Sequence, residues 1–70
     1  MIREGTKVRW KWGDGYATGI VVQRSEQEIS RTIDGSTVSR DGSSDDPALV
    51  IEQDDGQTVL KLDSEVERAD

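Results

Sequence analysis

This sequence predicts an all-β fold: one small barrel of five to six short antiparallel strands, finished by a short C-terminal helical turn. Three observations carry that expectation. Short apolar stretches alternate with Gly- or Asp-rich turns roughly every 8–12 residues, the spacing of a small barrel or sandwich rather than of a helical bundle. Residues 6–12, Thr-Lys-Val-Arg-Trp-Lys-Trp, alternate strictly between apolar and polar. The dipeptide Asp34-Gly35, suited to a two-residue type I′ reversal, separates two further strand-like runs.

The first strand, residues 6–12, places Val8, Trp10 and Trp12 on one face and Lys7, Arg9 and Lys11 on the other. Gly13-Asp14-Gly15 supplies a tight reversal, and residues 16–23 form a second strand rich in β-branched side chains, where Gly19 marks a bend or a close backbone approach. Residues 28–33 and 37–40 make a hairpin about Asp34-Gly35. A polar loop follows, ended by Pro47. Residues 48–53 and 58–62 make another hairpin around Asp54-Asp55-Gly56. Both of its strands carry apolar residues on both faces, so alternation does not choose their register. The last seven residues read as a turn or two of helix, because Ser64 and Glu67 have capping-box spacing and Arg68 lies near the C-terminal end. Val8, Val21, Ile33, Val38, Val50, Ile51, Val59 and Leu60 are the expected core.

Residues 1–70 are one domain, since a chain of this size buries only about 60% of its unfolded surface and has no room for a second core. Cysteine and histidine are absent. That removes disulfides, thiolate zinc sites and the usual nucleophile–base pairs, so Ser25, Ser30, Ser36, Ser39, Ser43, Ser44 and Ser64 have no imidazole to activate them. The expectation is a protein without enzymatic activity, cofactor or metal. The acidic runs at 41–46 and 54–55 lack the spacing of a calcium loop. No apolar run is long enough to span a membrane, and the polar start implies no cleaved leader, so a soluble cytoplasmic protein is expected. The net charge of −6 is uneven. Residues 1–40 carry seven basic against five acidic groups, whereas residues 41–70 carry two against ten. This balance opposes contact with phosphate backbones.

The pattern Gly5-x-x-Val8-x-Trp10-x-Trp12-Gly13, then Ala17-x-Gly19-x-Val21, Arg31-x-Ile33-x-Gly35-x-x-Val38-x-Arg40, Pro47-Ala48 and Val59-Leu60-Lys61, resembles the hypervirulence-associated protein TUDOR domain family over nearly the whole chain. The resemblance implies an SH3-like (Tudor-type) barrel and assigns no activity to particular residues. Domains of the Tudor type commonly hold cationic side chains in aromatic cages. Trp10, Trp12 and Tyr16, with Asp14 as the nearest carboxylate, are therefore the candidate ligand-binding set. In a purely structural reading, Trp10 packs across the barrel mouth while Trp12 and Tyr16 form a cross-strand pair that staples the first hairpin.

Lys7, Arg9 and Lys11, with Arg31 and Arg40, make an alternative nucleic-acid platform. They equally suit an edge strand that carries charge to deter pairing. The leading expectation is a small binding module that contacts a peptide or protein segment through the Trp10, Trp12 and Tyr16 surface, as a monomer or weak homodimer. A nucleic-acid accessory role and self-association through an open strand edge are the alternatives.

Overall fold

The computed structural model describes residues 2–70. These residues contain seven antiparallel strands and one 3-10 turn: β1 Lys7–Trp12, β2 Gly15–Ser25, β3 Glu28–Ile33, β4 Ser36–Asp41, β5 Ala48–Gln53, β6 Thr58–Leu62, the turn Asp63–Glu65, and β7 Glu67–Arg68. Each long strand expected from the sequence is present. The Asp34-Gly35 reversal has both central residues at positive φ, 52° and 81°, as a type I′ turn requires, and it closes β3 onto β4 with Ile33 opposite Ser36. Gly19 is a point of close approach. A Cβ there would stand 2.6 Å from Ile51 Cγ2 and 2.7 Å from the Glu52 carbonyl oxygen, so only glycine lets β2 lie this near β5.

Among the described residues the strands form two hydrogen-bonded sheets and not a single ring. Five of them form a sheet in the order β6-β5-β2-β1-β7, and β3 with β4 forms a separate two-stranded sheet. The all-β antiparallel fold expected from the sequence is present, with the short 3-10 turn near the C-terminus. Side chains rather than backbone bonds attach the β3–β4 hairpin: Ile29 and Val38 pack on Ala48, Val50, Leu60 and Leu62. A second cluster gathers Ile2, Val8, Trp10, Val21, Leu49 and Ile51. β5 therefore lies between two apolar masses, and its first four residues are all buried. This resolves the register ambiguity of the sequence, because both faces of that strand are interior.

Val8, Val21, Val50, Ile51 and Leu60 are buried as expected, with Val38 and Val59 packed at the margins. Ile33 is only half-buried. Ile2, Trp10, Ile29, Ala48 and Leu49 complete the core.

The C-terminal helical turn is present but short. Ser64 and Glu67 do not cap it. Glu65 Oε1 instead accepts the Leu62 N–H at 2.7 Å, while the Ser64 N–H and hydroxyl both donate to the Asp46 carboxylate, at 2.8 and 2.7 Å. Past the turn the chain is extended, with Val66 at φ −132°, which packs Val66 against the first cluster and lays β7 along β1. A helix over the same residues would gain less, since Val66 and Ala69 are its only apolar side chains.

Candidate functional site

Alternation along β1 sends Val8, Trp10 and Trp12 to one face, and their environments then diverge. Trp10 is opposite Ala17 and is buried in the core, 5% exposed. Trp12 stands at the strand end opposite Gly15, which has no side chain to cover it, and remains 74% exposed.

Tyr16 is opposite Lys11, and directly paired residues share a face, so its ring lies on the far side of the hairpin from both tryptophans. This register corrects the Trp12–Tyr16 cross-strand pair and divides the candidate aromatics between the two faces of the hairpin. Asp14 occupies the exposed β1–β2 turn and does not line the groove described next.

A groove of about 430 Å³ opens beside Trp12. Trp10, Ala17, Val59 and Leu60 supply apolar lining, Trp12 one wall, and Ile33 and Val38 of the β3–β4 hairpin the other. Gln53, Asp55, Gln57, Thr58 and Lys61 add polar groups. Asp55 Oδ1 accepts the Gln57 N–H at 3.0 Å, which shapes the β5–β6 turn at the groove's end. Sequence reasoning found the tryptophans and predicted the β5–β6 hairpin, but did not place β6 and its turn at the site. The only available signal was Asp54-Asp55-Gly56 between apolar strands, and nothing local indicates that residues more than forty positions from Trp12 come to meet it.

The groove follows an edge rather than a face. Thr58, Val59, Leu60 and Lys61 all line it, although consecutive residues of a strand point to opposite faces. β6 is hydrogen-bonded to no strand but β5 among the described residues, and the β3–β4 hairpin packs against it through side chains. Bonds from Gln53 N–H to Gln57 O and from Asp63 N–H to Pro47 O fix the ladder's phase. Val59 and Lys61 thus bond to β5, while Thr58, Leu60 and Leu62 turn their peptide groups outward. The Leu62 N–H that meets Glu65 shows this outward direction.

The other face of the β1–β2 hairpin carries Lys7, Arg9 and Lys11 with Tyr16 and Ile20, all exposed. The Arg9 guanidinium lies 4.7 Å from the Tyr16 ring centroid and its Nε donates to Glu67 at 2.7 Å. Arg31 and Arg40 do not join this stripe. They sit on β3 and β4, where Arg31 donates to Ser30 O and Gln23 Oε1, and Arg40 to Ser39 O and Glu65. Among the described residues no three carboxylates converge as a metal site would require. Among the same residues no helix is long and apolar enough to cross a membrane.

A family model described as the hypervirulence-associated proteins TUDOR domain matches residues 5–66. The chain belongs to that family. Within this TUDOR domain the matched span takes in β1 through the 3-10 turn, and so the whole groove. No curated protein and no solved structure matches the chain.

Proposed function

We propose that this TUDOR domain is a non-enzymatic binding module that seats a peptide or protein segment in the groove beside Trp12. The observation that carries the reading is a tryptophan 74% exposed at the rim of a depression lined by Trp10, Ala17, Val59 and Leu60. An indole left in water costs free energy that a partner's side chain recovers, and tryptophan is over-represented among residues that dominate interfaces. A cytoplasmic location belongs to the same proposal and rests on the lack of cysteine.

Calorimetric titration with peptides selected from a random library tests it. Trp12→Ala weakens binding at least tenfold, and Tyr16→Ala changes it less than twofold. The reverse pattern refutes the proposal.

A second reading has its own observation: Tyr16 shares an exposed face with Lys7, Arg9 and Lys11, a combination suited to stacking and phosphate contact with single-stranded nucleic acid. The ion pair from Arg9 to Glu67 and the net charge of −6 weigh against it.

A further inference from the structure

We infer that the groove is a strand-addition site, in which an extended segment of a partner protein, cationic at the end beside Asp55, pairs its backbone with the outer edge of β6. The inference rests on the peptide-binding reading above and specifies how the peptide is held. Half-buried Thr58 turns its N–H and C=O groups toward this edge, as does Leu60 from deeper in the groove, where it is 3% exposed and β4 packs nearby, and consecutive residues of β6 border the groove from both faces. A side-chain pocket on a sheet face would be lined by every second residue. An edge is lined by all of them, and what it offers a ligand is a row of backbone donors and acceptors.

An extended segment meets that row with its own peptide groups. Its alternate side chains then point to the Trp10–Trp12 side and to the Ile33–Val38 side, both of which are apolar. Thr58 to Lys61 is four residues, so the paired stretch is about 13 Å long at the rise of a strand.

Charge selects the occupant. Asp55 lines the turn end of the groove and Lys61 the opposite end, Glu52 and Asp54 are exposed beside Asp55 in the same hairpin, and the chain carries −6 overall. Two copies of the chain repel each other, whereas a segment bearing lysine or arginine at this end is attracted.

The test uses the tightest peptide recovered from a random dodecapeptide library displayed on phage, with hydrogen exchange read on the full 70-residue chain. Thr58→Pro removes an N–H that faces away from β5, so it blocks the edge without deleting a bond of the β5–β6 ladder. A peptide series N-methylated at one position at a time probes the same bonds should that variant fail to fold.

The expected result has four parts. The selected sequences carry lysine or arginine toward one end. Exchange at the Thr58 and Leu60 amides slows at least tenfold on binding. Thr58→Pro weakens affinity at least tenfold. Alternate N-methylations do the same, and the intervening ones do not. If Trp12→Ala weakens binding while Thr58→Pro, N-methylation and the two amides are indifferent, strand addition is overturned and the groove reading stands. If no sequence is enriched, or neither variant matters, both are overturned. Slowed exchange at Thr58 and Leu60 that follows protein concentration without peptide makes the occupant a second copy, and also overturns the inference.

Discussion

Gly42, just past β4, runs in close approach to the backbone of Ser25, Gln27 and Ala48, and its replacement by alanine probes how the groove's outer wall is held. A Cβ at this buried position would lie 2.5 Å from Ser25 O, 2.6 Å from the Ala48 nitrogen and 2.9 Å from Gln27 O. Carbon contacts are optimal near 3.5–4.0 Å, so the methyl group needs about 1 Å of clearance in more than one direction. All three obstacles are backbone, and no side-chain rotation relieves them. Overpacking costs typically about 1–3 kcal/mol, and a site enclosed by peptide groups belongs at the upper end, about 3 kcal/mol. For a chain of this size the whole stability is about 3.5–10 kcal/mol. Gly15 is the control, because a Cβ there meets nothing within 4 Å, and Gly15→Ala shifts stability by no more than about 0.5 kcal/mol. Urea unfolding followed by the fluorescence of buried Trp10 measures both variants against the unmodified domain. A Gly42→Ala midpoint equal to that of Gly15→Ala would refute the packing argument and the anchoring of the hairpin with it.

Leu49→Ala empties a site that is 0% exposed in the first cluster and costs about 3–5 kcal/mol by urea titration, whereas Ile20→Ala on the exposed face of β2 costs far less. Asp46→Ala removes both acceptors of Ser64, loosens the 3-10 turn and lowers stability by about 1–2 kcal/mol, while Asp46→Asn, which keeps one oxygen acceptor, costs less than alanine. The hydrogen bonds from Arg68 hold the Asp70 carboxyl below its ordinary range; this contribution to stability is present above the ordinary aspartate pKa and is lost as pH falls through the lowered one. Carboxyl NMR titration of Arg68→Ala should return Asp70 to the ordinary range, and an unchanged Asp70 midpoint would contradict the pairing.

Much of the fold was legible because local signals agreed with one another. Alternation over residues 6–12 defined β1, Asp34-Gly35 fixed a reversal, and Gly19 marked a close approach that Ile51 and Glu52 explain. What escaped was decided at long range. The tail became β7 because Val66 found the core and Asp46 claimed Ser64, and neither partner is near in sequence. The aromatic set divided because pairing Lys11 with Tyr16 fixes which face the tyrosine takes, a fact set by the two-residue turn and not by composition. Trp12 was named as a candidate contact, but the residues that line the groove with it, Val59, Gln57 and Asp55, come from a hairpin that only the completed sheet carries there.

Chemical-shift mapping on the 15N-labelled domain tests the central claim most directly, with the library-selected peptide and a short single-stranded DNA each added at low and high salt. The account predicts that the peptide moves the Trp12 indole, Ala17 and Thr58 to Lys61 at both ionic strengths, with Tyr16 and its basic neighbours quiet. Silence along β6, together with shifts at Lys7, Arg9, Lys11 and Tyr16 that vanish in salt, would contradict it and place the binding surface on the opposite face of the hairpin.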